Sequence, residues 1–184
     1  MIVVNDNGMA DVLKLPSGPP AARWGTTGPP ARAQKGALVN EPFPKFDAIV
    51  STELVPFIDA HFRTMSDRDH RAIAGLSMGG AEALRLGTNH LELFSYIGAF
   101  SPAIGYLDPK GYNRKFADAS AINKQLRLLW IGIGRQDFLY EGIKASHESL
   151  ERAHVQHVWV ETEGQHSWNV WRKYLADFAP RLFR

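Results

Sequence analysis

A serine set between glycines where an apolar run gives way to a helical pattern constrains this chain more than any other feature. Residues Gly75-Leu76-Ser77-Met78-Gly79-Gly80 read Gly-x-Ser-x-Gly directly behind the short apolar run Ala72-Ile73-Ala74. Ala81-Glu82-Ala83-Leu84-Arg85-Leu86 follows with helical character. The order is strand, sharp turn, helix, with Ser77 at the apex. Flanking glycines permit a strained turn and a close approach of strand to helix. A serine hydroxyl is a poor nucleophile until it is held clear of the backbone beside a base. At a helix N-terminus, free N–H groups are placed to stabilise a developing oxyanion. Read without chemistry, the same residues form a glycine-rich turn with a solvated serine.

The rest of the chain supplies the sheet such a turn needs. Apolar runs at His70–Gly75, Tyr96–Ser101, Arg127–Ile133 and His157–Glu161 read as strands. Helical patterns at Gly142–Ala153 and Asn169–Phe178 fall between or after them, the last ended by Pro180. Strands alternating with helices predict an α/β fold with a mainly parallel sheet. Ile2-Val3-Val4 reads as a further short strand. Phe46–Phe62 carries Ile49, Val50, Leu54, Phe57, Ile58 and Phe62 at helical spacing, and Pro56 within it predicts a kink or a late start near Ser51-Thr52. Residues 15–45 hold seven prolines, from Pro16 to Pro44, with glycines between them. Such density resists both helix and central strand. This stretch is read as an irregular insertion, either a plain surface loop or a loop over the substrate site with Trp24 as its contact. The 184 residues are read as one domain, 1–184, with that insertion inside it.

Composition narrows the partners. Net charge is only +2, with no basic tract and no acidic tail, so nucleic acid is not expected and a small near-neutral substrate fits better. No apolar run approaches 18 residues, so no membrane span is expected. Cysteine is absent, which removes disulfides, thiolate metal sites and a cysteine nucleophile. The opening residues show neither a charged n-region nor a small-residue cleavage site.

A nucleophilic serine needs a base, and the base needs an orienting acid. Of seven histidines, His61 and His70 lead into the elbow from the wrong end, and His90 lies at the far end of the following helix. His147 and His154 belong to a helical segment, and His157 starts a strand. His166 follows a strand and precedes a helix, in Glu163-Gly164-Gln165-His166-Ser167-Trp168, on the same edge as Ser77. Open α/β sheets place their sites on that edge. The acid is expected past another strand's carboxyl end. Asp137 fits, with Glu141 as runner-up and Asp108 behind it; Asp137 also reads as a turn or capping aspartate. The chain order Ser77, Asp137, His166 is that of the α/β-hydrolase arrangement.

With these residues in hand, the chain resembles carbohydrate esterase family one, the feruloyl and acetyl-xylan esterases related to esterase D. The resemblance rests on His70-Arg71-Ala72-Ile73-Ala74-Gly75-Leu76-Ser77-Met78-Gly79-Gly80, on Phe94–Gly98, on Leu129–Leu139 and on Gly164-Gln165-His166-Ser167-Trp168-Asn169-Val170-Trp171. It covers residues 46–184 and the opening strand. It implies an α/β-hydrolase-like fold with Ser77 as nucleophile, His166 as general base, Asp137 as its orienter and the Met78 N–H as one oxyanion donor. It also implies no metal or cofactor, a small ester or acylated plant polysaccharide as substrate, and a secreted or periplasmic setting. Trp168 and Trp24 are candidates to stack on an aromatic acyl group, although Trp168 and Trp171 serve equally as packing for the last helix. The same triad would also support acyl transfer to an alcohol.

One departure follows. The family's third-strand loop, usually with a His-Gly pair, supplies a second oxyanion donor, and nothing in this sequence matches it. The chain resembles the family without its N-terminal third, with Met1 an internal methionine. Loss of one oxyanion donor costs about 2.7–4 kcal/mol of transition-state stabilisation, so the resemblance implies a weakly active or inactive, unstable or dimeric chain.

Overall fold

The computed structural model describes residues 1–4, 46–104 and 119–184. The irregular stretch 15–45 with Trp24, and Asp108, lie outside these. The described elements are a π-helical segment (Ile49–Leu54) continuous with α1 (Val55–His61), β1 (Ala72–Leu76), α2 (Met78–Asn89), β2 (Tyr96–Phe100), α3 (Ala119–Gln125), β3 (Leu128–Gly134), α4 (Tyr140–Arg152), β4 (Val158–Thr162) and α5 (Trp168–Phe178). The four strands form one parallel sheet in the order β1-β2-β3-β4. Its register runs Ala72 opposite Tyr96, Tyr96 opposite Leu128 and Trp130 opposite Val158. This is the α/β architecture expected from alternating strands and helices.

β2 is buried at every position and β3 at all but its first, which is why both read as unbroken apolar runs. Alternation along the strands feeds two cores. Ile97, Ala99, Leu129, Ile131 and Ile133 meet Ala81 and Leu84 of α2, Ile122 of α3, and Ile143 and Leu150 of α4 on one face. Phe100 and Trp130 meet Val170, Trp171, Tyr174 and Phe178 of α5 on the other. Among the described residues, β1 is an edge. Ser95 N–H donates to Arg71 C=O, and Ser77 N–H to Phe100 C=O, so the alternate residues Ala72, Ala74 and Leu76 turn their backbone groups outward.

Two expectations are corrected. Met1–Val4 forms no strand, and its side chains are exposed. Three apolar residues do not make a strand without a ladder to join. The helix before the sheet does not start late near Ser51-Thr52, since residues 46–61 are already helical. Instead six residues widen into a π-helix, with Val55 N–H donating to Val50 C=O. A proline in a regular helix clashes with the carbonyl four residues back, and the wider turn ahead of Pro56 relieves this. The apolar stripe of this helix is only partly covered: Val50 is buried, while Phe57 and Phe62 are about half exposed.

Candidate active site

Ser77 sits on the turn between β1 and α2 with φ 53° and ψ −120°, a positive-φ backbone that residues other than glycine rarely adopt. The turn is held from several sides. Ser77 N–H donates to Phe100 C=O at 2.9 Å, and its carbonyl accepts from Ala81 N–H at 3.1 Å and Ala103 N–H at 2.9 Å. The hydroxyl makes no capping bond to the helix, which leaves it free to face outward. The glycines divide the work differently from the sequence reading. A Cβ on Gly75 would lie 2.2 Å from the Gly79 carbonyl oxygen, and one on Gly80 3.1 Å from Pro102 Cα, whereas one on Gly79 meets open space. Gly75 and Gly80 permit the close approach, and Gly79 does not.

His166 Nε2 lies 2.9 Å from Ser77 Oγ, and its Nδ1 2.8 Å from Asp137 Oδ2. The Asp137 side chain is fully buried, and its second oxygen accepts from Leu139 N–H at 2.9 Å. An ionised carboxylate only accepts, so Nδ1 carries the proton and Nε2 presents a lone pair to the serine hydroxyl. The loops bearing acid and base are stitched together. Arg135 N–H donates to Thr162 C=O, Gln136 N–H to Gly164 C=O, and Gly164 N–H to the Gln136 side chain. A Cβ on Gly134 would strike the Gly164 carbonyl at 2.1 Å, so only glycine lets these loops approach so closely.

Met78 opens α2, where first-turn N–H groups have no intrahelical acceptor, so among the described residues its amide has no backbone acceptor beside Ser77. Glu141, the alternative acid, is exposed on α4. Of the other six histidines, five are engaged elsewhere: His61 with Phe57 C=O, His70 with Asp67, His90 with Asp47 and Glu92, and His147 with His157; His154 is exposed just past α4. Among the described residues no cluster of three or more His, Asp or Glu could hold a metal ion.

The sequence matches the family model Esterase over residues 12–182. The chain belongs to the esterase family. Its relatives include the endo-1,4-beta-xylanase/feruloyl esterase of Xylanibacter ruminicola, 33% identical over 141 residues, covering 76% of this chain and 18% of that protein. The acetyl esterase of Caldicellulosiruptor saccharolyticus is 28% identical over 163 residues, covering 72% of this chain and 61% of the relative. The fold is shared with the carbohydrate esterase family one ferulic acid esterase of Anaeromyces mucronatus, at a TM-score of 0.64 and 24% identity, covering 77% of this chain and 55% of that one. It is shared also with S-formylglutathione hydrolase of Staphylococcus aureus, at a TM-score of 0.60 and 23% identity, covering 70% and 61%. The chain therefore spans less than two thirds of the length of each.

Around the triad of this esterase-family chain lies a row of aromatic rings, part of which the sequence reading missed. Trp171 is buried and stands edge-on to His166, with ring centroids 4.8 Å apart. Trp168 is 68% exposed and meets Trp171 edge-on at 5.4 Å. Thus Trp171 packs the last helix, and Trp168 does not. Phe138 is 74% exposed with its ring 4.7 Å from His166. Its signal in the sequence was a large apolar residue directly after the acid in a strand-to-helix loop. Ser101, fully buried behind Trp171, left no such signal.

Proposed function

We propose that this chain hydrolyses carboxylic esters through an acyl-enzyme on Ser77. The observation that carries the reading is the unbroken hydrogen-bond path from Asp137 through His166 to the Ser77 hydroxyl. In this mechanism Ser77 Oγ attacks the ester carbonyl while His166 Nε2 takes its proton. Asp137 holds the imidazole tautomer and stabilises the imidazolium. The carbonyl oxygen becomes an oxyanion facing the Met78 N–H. Collapse expels the alcohol, which leaves with the proton from Nε2. Water then attacks the acyl-enzyme with His166 again acting as base, and the free acid departs.

For the substrate we propose feruloyl or acetyl groups on plant polysaccharide. Relatives named feruloyl esterase and acetyl esterase support this. So do the exposed Phe138 and Trp168, since flat apolar rings beside the base suit stacking with an aromatic acyl group. The test is labelling by a fluorophosphonate together with turnover of p-nitrophenyl acetate and methyl ferulate. Label on Ser77, and loss of both label and turnover in Ser77→Ala, are expected. A Ser77→Ala variant that kept full hydrolysis would overturn the assignment.

A further inference from the structure

The segment Ser101-Pro102-Ala103, directly after β2, touches both halves of the site. Ala103 N–H donates to the Ser77 carbonyl, and Pro102 packs against Gly80 so closely that a Cβ there would lie 3.1 Å from Pro102 Cα. Ser101 reaches the other half. Its hydroxyl accepts from the Trp171 indole N–H at 3.1 Å, and the Trp171 ring stands perpendicular to His166.

Ser101 itself is held in a left-handed backbone, φ 47°, and is completely buried. A non-glycine residue resists this conformation, which persists only where surrounding contacts enforce it. Two contacts do so here: Ser101 N–H donates to Gly132 C=O at 2.7 Å, and Oγ holds the indole. Core packing alone accounts for the burial of Trp171 among Phe100, Trp130 and Tyr174. It does not account for a strained serine whose hydroxyl fixes the rotation of that indole about its own axis.

Resting on the hydrolase reading above, we propose that Ser101 and Trp171 are positioning residues that hold the His166 imidazole in line with Ser77. Ser101 Oγ fixes the indole, and the indole plane blocks rotation of the imidazole away from the serine. Because the same three-residue segment also binds the nucleophile's carbonyl, it sets the spacing of nucleophile and base from one place. A displacement of catalytic groups by about 1 Å costs up to about 100-fold in rate.

Three variants test this: Ser101→Gly, Trp171→Phe and their double. Glycine removes the hydroxyl while accepting the left-handed backbone, so the variant folds. Phenylalanine keeps a ring and loses the indole N–H. The readouts are kcat and KM on p-nitrophenyl acetate and the NMR signals of the His166 ring, which require no turnover. Each single variant is expected to lower kcat about 10-fold with KM within two-fold, and to shift or broaden the His166 ring signals. The double is expected to be no worse than the worse single, since both break one hydrogen bond. Parental kcat and unmoved ring signals in the singles, or losses that multiply in the double, would overturn the proposal. A parent chain that neither turns over ester nor labels at Ser77 would instead sink the hydrolase reading, while the ring signals still decide whether Ser101 and Trp171 hold the imidazole.

Discussion

Gly75 and the Gly79 carbonyl are in such close contact that a methyl group on Gly75 would overlap the oxygen at 2.2 Å. The neighbouring atoms are backbone on both sides, so no side-chain rotation relieves the clash. Gly75→Ala is expected to push α2 off β1, to destabilise the chain by about 3 kcal/mol or more and to abolish fluorophosphonate labelling of Ser77. Gly79→Ala meets open space in a helix and is expected to stabilise by about 0.5–1 kcal/mol. Urea unfolding of the two variants checks this, and equal effects from the two would refute the division of labour between the glycines.

Asp137 spends both carboxylate oxygens, one on Leu139 N–H and one on His166 Nδ1. In Asp137→Asn the amide oxygen stays with the backbone N–H, because the NH2 group cannot accept from it. The NH2 then faces Nδ1 and drives the imidazole into the tautomer protonated at Nε2. That ring cannot take the serine proton. A fall in kcat of about 10⁴ with little change in folding stability is expected from ester kinetics and thermal melts. Retention of a tenth or more of parental kcat would show that Asp137 does not set the tautomer.

That Ser77, Asp137 and His166 come together was legible because each lies at a junction where the pattern changes character within a few residues. Ser77 is flagged by glycines after an apolar run, and Asp137 and His166 by their place past strand ends. Gly80, Trp171 and Ser101 were not, since their importance lies in what folds against them: Pro102, the His166 ring and the indole N–H. The helix α3 was missed because Ala119–Gln125 buries only Ile122 and so shows no periodic apolar stripe. Ile2–Val4 misled in the opposite sense, being strand-like in composition but without a partner strand among the described residues. The late start expected near Ser51-Thr52 misled because a proline in the sequence does not say whether the helix begins after the residues it crowds or widens its turn ahead of it.

Phe138, its ring 4.7 Å from His166, and Trp168, edge-on to Trp171, stand 74% and 68% exposed and belong to neither core. If they form walls for an aromatic acyl group, truncating either removes stacking worth about 1 kcal/mol. Phe138→Ala and Trp168→Ala are then expected to raise KM for methyl ferulate about five- to ten-fold, while KM for p-nitrophenyl acetate, whose acyl group is a small acetyl, changes less than two-fold. An equal rise for both esters would assign these rings to general access, and a rise for p-nitrophenyl acetate alone would assign them to the leaving-group side.

Glu82 lies on α2 five residues past the nucleophile, nearly buried, with Arg85 nitrogens 3.3 Å from its Oε2. Burial is the main cause that pushes its carboxyl from 4.5 up to about 7; Arg85 opposes the rise, and the nearby Asp47 adds to it. Between these values the folded chain keeps a proton that the unfolded chain releases. The linked stability is therefore fully present below about pH 4.5, falls as pH rises through 7, and stays lost above it. A proton affinity changed this much corresponds to about 3 kcal/mol, and solvent screening together with the shared Arg85 reduces the observable part to about 1–2 kcal/mol. Glu82→Gln is neutral at every pH and escapes the loss. Relative to the parent, it is expected to gain about 1–2 kcal/mol on going from pH 4.5 to pH 8, read from urea unfolding at the two values. A variant whose stability difference from the parent is the same at both would show that folding does not raise the Glu82 carboxyl above its ordinary value.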